Sequence, residues 1–475
     1  MFIPEQLFLN FSDSAKYADI ARNILDGYGK VSNFNFWGTD NSIWIQPVMP
    51  YSIAAFFKIF GINDYAVIAT SFFYFLLSLV FVFLLAQKIY KDRLVSFLST
   101  LAVGFNYNLI NYGTSGASES PFIFEILAAT YFVSLKKWWG NAFGIVFAVL
   151  LYFTRPQAII YILGLIFYFF INSFKFKKAI IYSSLVIGLT SIAYLILSKQ
   201  GMFAITQTVT NAAVSDALRG RSFDTSLLSI VKKVFYNLYN FYKAIPEIMN
   251  PYLFALFVIG FFKKNNNFIN ASTFMAKLTF LIAALTIPFY RYLHPVVPLI
   301  YIGAVATLVD ILKENKYKSY ISSLLVLFFA VGQTLGVIFL DSRFEKNIVN
   351  TNKPPIYVLQ SRILEDVTGK DDVTLTNLDT WGSWYGERKT TWFPLNPDMI
   401  KGKEDNIKYI YLTSYKMDDE NYYMGKEWRE IFNNPREQKI LPNYKFVDEY
   451  KFIAEDNYER EDGKAVLLVR DDETK

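Results

Sequence analysis

The sequence predicts a polytopic α-helical membrane protein with a small α/β domain at its carboxyl end. Three observations predict it. The 475 residues are 53% hydrophobic and have a mean hydropathy of +0.25, which fits several membrane spans better than a water-soluble chain. Apolar stretches recur from Ala66 to Leu340. The charge is unevenly divided: 26 Lys+Arg stand against 14 Asp+Glu through Leu340, and 21 against 27 from Asp341 onward. The net +6 is therefore a basic, apolar body plus an acidic, soluble tail, and gives no reason to expect a nucleic-acid partner. There is no cysteine, so disulfides and Cys-based zinc sites are excluded. The single histidine, His294, excludes a multi-histidine metal cluster and is the one residue on which Ser-His-Asp chemistry would have to rest.

Ten spans are expected, at about 66–87, 94–112, 121–135, 141–153, 157–172, 179–197, 249–262, 275–290, 293–311 and 318–340. Several are shorter than the roughly 20 residues of a perpendicular helix. The short ones come in pairs. Residues 141–172 form one apolar run broken at Thr154-Arg155-Pro156, and residues 275–311 form another broken from Tyr290 to Pro295. Each run is too long for one helix and fits two that meet at a polar, proline-marked turn.

The short loops set the orientation. Lys88, Lys91 and Arg93 fill one loop, then Lys136 and Lys137, then Lys175, Lys177 and Lys178, then Lys263 and Lys264, then Lys313, Lys316 and Lys318. Short loops of the opposite parity carry only Arg155 and Arg291. The positive-inside rule places the first set in the cytoplasm. The second set, the long segments 1–65 and 198–248, and the tail then face outside. The expected division is a transmembrane domain, 1–340, and an extracytoplasmic α/β domain, 341–475, in a multi-pass protein of the cell (plasma) membrane. Residue 1 already lies outside, yet no apolar segment before Ala66 carries it across. A first transmembrane helix is therefore expected upstream of Met1, the alternative being unaided translocation of the segment.

Three outer segments have helical apolar spacing: 13–28, 47–60 and 227–245. Such helices lie along a membrane interface and together suggest a wall around a surface cavity; ordinary juxtamembrane helices are the plainer reading. In the tail, 373–377, 407–415, 445–453 and 465–470 read as strands, and 355–368 and 425–434 as helices. The aromatic cluster Trp381, Trp384, Tyr385, Trp392 and Phe393 reads as core packing ahead of sugar stacking.

Four ionisable residues fall on one side by topology: Asp13, Glu119, Arg155 and Arg291. Charged groups at membrane depth are costly and tend to be functional. Two acids and two arginines on one leaflet suit a phosphate-bearing ligand, with a carboxylate as base and guanidiniums on phosphate. Each has a duller account. Asp13 or Ser12 reads equally as a helix N-cap, and Glu119 as solvated beside Pro121. Both arginines read as headgroup-facing side chains, and Arg219 and Arg221 as surface charges. Glu125 reads as paired inside the bundle, and His294 as a hydrogen-bonded interface residue.

The chain resembles the GT-C-fold glycosyltransferases, in the branch of the dolichyl-phosphate-mannose protein mannosyltransferases and the bacterial lipid A aminoarabinose transferase. The resemblance rests on five motifs in order over residues 1 to about 310. They are SDSAKYADIAR with Asp13, Tyr17, Ala21 and Arg22; QPVMPYSIAAFFKIFG with Pro47, Pro50, Phe60 and Gly61; Ser118-Glu119; Thr154-Arg155-Pro156; and RYLHPVVP with Arg291, Tyr292, Pro295 and Pro298. One departure is Ser14, where many eukaryotic members have a second acid after the first. The resemblance implies a polyprenyl-phosphate sugar as donor and a glycan, lipid or protein hydroxyl as acceptor, both met at the lipid bilayer. It implies inverting transfer with Asp13 as base and Glu119 orienting the acceptor or sugar. Tyr17, Arg155, Arg219, Arg221, Arg291 and Tyr292 would bind substrate. No metal is required, although carboxylates alone can hold Mg²⁺ or Mn²⁺. The competing function is a transporter or flippase for a polyprenyl-linked glycan. That function calls for broken helices near mid-bilayer, whereas the breaks here fall at outer ends.

Overall fold

The computed structural model describes residues 8–37, 45–174, 227–263, 266–286, 288–340, 354–394, 396–400, 406–415, 425–455 and 460–471, with a few single positions between. It forms two compact units. One comprises Met1–Thr70, Ser115–Ala117 and Ser342–Lys475; the other comprises Ser71–Thr114 and Ser118–Asp341.

The first unit is built on a six-stranded sheet, in the order β1-β3-β2-β4-β6-β5. The strands are β1 (Phe34–Phe36), β2 (Val373–Thr376), β3 (Lys389–Trp392), β4 (Tyr409–Thr413), β5 (Tyr444–Glu455) and β6 (Arg460–Arg470). The first four in that order run parallel, and β6 is antiparallel to both β4 and β5. Strands β2, β4, β5 and β6 and the helices Ile356–Val367 and Lys426–Asn433 stand where the sequence predicts them. Strands β1 and β3 carry no clear alternation and were not predicted. β1 is three residues from the amino-terminal segment, in register with Phe34 opposite Thr390.

Helix α1 (Ser12–Leu25) buries Ala15, Ala18 and Ala21 against α2 (Val48–Phe60) and against Trp381 and Trp384. The small residues on that face let helix and indoles approach. The tail aromatics are thus packed: Trp381 and Trp384 in this cluster, Phe393 in a second with Trp428. Polar side chains fix the arrangement. Arg22 donates to the carbonyl of Ser383 at 2.7 Å, pairs with Asp19 at 3.2 Å and Glu387 at 3.1 Å, and lies over the Trp384 ring. Asp64 accepts from Trp384 Nε1 and Tyr385 Oη, each at 2.8 Å.

The second unit is helical. α3 (Asp64–Tyr90) enters it, followed by α4 (Arg93–Gly104), α5 (Tyr107–Thr114), α6 (Glu119–Ser134), α7 (Trp138–Thr154) and α8 (Ala158–Ser173). After 198–226, which lie outside the described residues, come Leu227–Lys243, Pro251–Lys263, Asn267–Leu285, Val297–Ile311 and Lys318–Leu340. The expected span 94–112 is two helices, α4 and α5. Asn106, buried in the apolar run, caps α5 by accepting from Leu109 N and donates to Tyr301 Oη, so the chain breaks there. The expected span 179–197 falls almost wholly outside the described residues. Among the described residues four helices are long and apolar enough to cross a membrane: Asp64–Tyr90, Asn267–Leu285, Tyr290–Ile311 and Lys318–Leu335. Five more apolar helices are shorter. Both predicted breaks are present, at Arg155-Pro156 and across the turns Tyr290–Tyr292 and His294–Val296.

Asp19 is fully buried and accepts from Arg22, from the Asn33 backbone N–H at 2.8 Å and from Asn33 Nδ2 at 2.9 Å. Burial outweighs the pull of Arg22 and Asn33 and pushes its carboxyl from 3.8 up to about 6. The raised folded value means that this group's stabilising contribution is full below pH ~4 and is lost as pH rises through about 6. The melting temperature of the full chain in detergent, minus that of Asp19→Asn, should therefore fall between pH 4 and 6 and level off above. A flat difference would remove the assignment.

Candidate active site

α6 begins at Glu119 with Ser118 as its N-cap, so the carboxylate sits in the first turn, where the helix dipole favours a negative charge. Glu119 is nonetheless 0% exposed, and a charge so buried needs partners. The two chain breaks supply them. Pro156 forces the residue before it out of helical geometry, which ends α7 and holds Arg155 extended. Arg155 Nη1 then lies 2.6 Å from Glu119 Oε1 and 2.9 Å from Ser118 Oγ, while its Nε donates to Gln157 Oε1 at 3.1 Å. Arg291, on the turn Tyr290–Tyr292, reaches the same Oε1 with Nη2 at 2.8 Å and Nε at 2.9 Å. The Tyr292 ring lies 5.9 Å from the Arg155 guanidinium carbon.

One carboxylate oxygen thus takes two guanidiniums. The other, Oε2, is buried without a hydrogen-bond partner among the described residues. Arginine stays protonated in any such setting, so two fixed positive charges converge on one carboxyl oxygen. Arg291 is the more open of the two, its side chain 27% exposed against 9% for Arg155. Arginine forks of this kind match a phosphate by charge-assisted bonds. Deeper along α6, Glu125 accepts from Thr154 Oγ1 at 2.8 Å. In the field of the same cluster, the Tyr112 hydroxyl lies 2.5 Å from Nδ1 of the buried His294, whose Nε2 has no partner among the described residues. Tyr112 and Gln157 carried no sequence signal, since single tyrosines and glutamines are common in such helices.

Glu119, Arg155, Arg291 and Tyr292 are brought together in the second unit. Asp13 and Tyr17 belong to the first. Asp13 is the second residue of α1, its side chain 30% exposed and 3.7 Å from Lys16 Nζ. Phe11, not Ser12 or Asp13, occupies the N-cap position. Tyr17 is half-buried against the α1–α2 cluster. Arg219 and Arg221 lie outside the described residues. Among the described residues no three His, Asp or Glu side chains gather to hold a metal ion.

Residues 45–197 match the family model of dolichyl-phosphate-mannose-protein mannosyltransferase. The chain aligns with the apo crystal structure of ArnT from Cupriavidus metallidurans over 98% of its length and 94% of that chain, with a TM-score of 0.53 and 11% identity. The structure of that ArnT bound to undecaprenyl phosphate aligns with a TM-score of 0.54 and 10% identity, covering 97% and 94%. The chain has the GT-C fold. The likeness to this branch read from the five motifs is thereby borne out. No curated protein sequence matches the chain.

In this GT-C chain Glu119 bridges two arginines at once. Glu119→Ala leaves both guanidiniums facing each other, and should cost about 3–5 kcal/mol, the range for breaking a buried ion pair. Thermal melting in detergent should show the loss. Adding Arg291→Met to Glu119→Ala should recover part of it; equal melting of all three proteins would show that the cluster holds nothing together.

Proposed function

We propose that the protein is an integral membrane glycosyltransferase that moves a sugar from a polyprenyl-phosphate donor to an acceptor hydroxyl on the outer face of the membrane. The observation that carries the reading is the buried carboxylate of Glu119 gripped by Arg155 and Arg291, two arginines converging on one point of a GT-C scaffold. The undecaprenyl phosphate bound by ArnT, on the same fold, supports a lipid-phosphate donor. A donor carried on a lipid also suits an outer face, where nucleotide sugars are not normally supplied.

In the proposed step the acceptor hydroxyl gives its proton to the Asp13 carboxylate as its oxygen bonds to the anomeric carbon. The bond from that carbon to the phosphate oxygen breaks, and its electron pair leaves with the polyprenyl phosphate. Attack opposite the leaving group inverts the anomeric centre. Arg155 and Arg291, with Arg219 and Arg221 from the outer loop 198–248, meet the charge that develops on the phosphate. Glu119 orients acceptor or sugar, and Tyr17 and Tyr292 line the substrate. The step as written uses no metal ion, and Mg²⁺ or Mn²⁺ would have only carboxylates to hold it. The transferred sugar is a hexose or a pentose. The protein lies in the plasma membrane, with 341–475 as its extracytoplasmic domain.

The test is transfer of labelled sugar from polyprenyl phosphate by the purified full chain in proteoliposomes. Asp13→Asn should lower kcat/KM by about 10²–10⁴-fold, the range for a general base. Arg291→Ala should lower kcat by roughly 10²-fold, in line with loss of one charge-stabilising donor. Full transfer by Asp13→Asn removes the base assignment. Movement of the donor across the bilayer without transfer would instead make the protein a flippase.

A further inference from the structure

The second unit holds a cavity of about 580 Å³ far from Glu119. It lies at the other end of α6, whose 16 residues rise about 24 Å. Lys88, Lys91 and Lys136 line it together with Tyr168, Asn172 and Asn267, and no carboxylate is among its lining residues. Lys91 and Lys136 have φ of 54° and 55°, the left-handed position that follows α3 and α6 and that glycine ordinarily fills. A lysine there offsets the carbonyl end of its helix, which explains either residue taken alone.

Neither that explanation nor the positive-inside bias of these loops requires three lysines to line one cavity. None of the three holds an ion pair among the described residues. Asp92, the acid beside Lys91, is committed to capping α4 by accepting from Leu94 N and Val95 N. On the far wall Asn267 Nδ2 donates to the Ile171 carbonyl and to Asn172 Oδ1, which closes α8 against the next helix. That helix, Asn267–Leu285, is 19 residues long and starts at the cavity, adding the positive end of its dipole to the lysines.

We propose that this cavity binds a phosphate ester. Its position favours the phosphodiester head of an anionic membrane lipid, because α3 and Asn267–Leu285 are long, apolar helices and the cavity sits where they end. The site is independent of the sugar-transfer reading.

Native mass spectrometry of the full chain, incubated with phosphatidylglycerol or phosphatidylcholine, tests it. The triple variant Lys88→Gln, Lys91→Asn, Lys136→Asn removes the charges and keeps residues that tolerate a left-handed backbone. Lys313→Gln with Lys316→Gln removes charge from a basic loop outside the cavity. Phosphatidylglycerol retention should fall about fivefold for each cavity lysine removed, with the loop variant and phosphatidylcholine retention unchanged. If the triple variant melts below wild type, Lys88→Gln alone, in a regular helix, should show the single-lysine loss. Displacement of the lipid by millimolar inorganic phosphate would support the cavity with a soluble phosphate as its ligand. Equal loss in the cavity and loop variants, or no preference of wild type for phosphatidylglycerol, overturns the proposal.

Discussion

The helical unit depends on one oxygen atom. Glu119 Oε1 accepts from Arg155, which sits where Pro156 stops a helix, and from Arg291, on the turn before the proline-initiated segment His294–Val296. The start of α6, the break between α7 and α8, and the turn before Val297–Ile311 are therefore tied at a single point. The constraint is electrostatic. A carboxyl group with no exposure is tolerable because two guanidiniums meet it, and the arginines are tolerable there because one oxygen accepts from both. Among the described residues the second oxygen, Oε2, is buried with no hydrogen-bond partner.

Most of this was legible in the sequence, because topology and proline do most of the placing. Arg155 and Arg291 stand out as the basic residues in loops of the sparse parity, Arg155 directly before Pro156 and Arg291 four residues before Pro295. Glu119 stood out as an acid just before a span. The direct pairing of the three was not legible, since it needs the rotation of α6 relative to two distant breaks. The same holds for Tyr112 against His294, where neither spacing nor composition marks the tyrosine. Asn106 is a different kind of miss. One buried amide inside an apolar run split an expected span, and hydropathy cannot tell a capping asparagine from a tolerated one.

The sheet unit was half legible. β4 and β6 are long and apolar enough to declare themselves, and so are the helices that cover them. β1 is only Phe-Asn-Phe, and its register is set by Thr390, far away in sequence. The reach of the amino-terminal segment into the sheet rests on side chains with local alibis. The sequence marks Arg22 only as part of the first motif, and Asp64 falls just before the first expected span. Each instead holds the Trp381–Tyr385 turn, Arg22 through the carbonyl of Ser383 and Asp64 through an indole and a phenol.

The separation of those partners bears on how the protein comes to be made. The backbone N–H of Leu9 donates to the Tyr385 hydroxyl across 376 residues. At ordinary ribosomal rates the two ends of that contact emerge tens of seconds apart. During that interval α1 exposes Ala15, Ala18 and Ala21 with no indole to cover them, and β1 has no strand to pair with. The whole helical unit, Ser71–Thr114 and Ser118–Asp341, is synthesised in the meantime. Completion of the sheet unit therefore reports that the whole helical unit has been made. A chain cut short after the last long helix would keep its bundle sequence intact yet leave Phe34–Phe36 without its partner β3 and the α1 alanine face without Trp381 and Trp384.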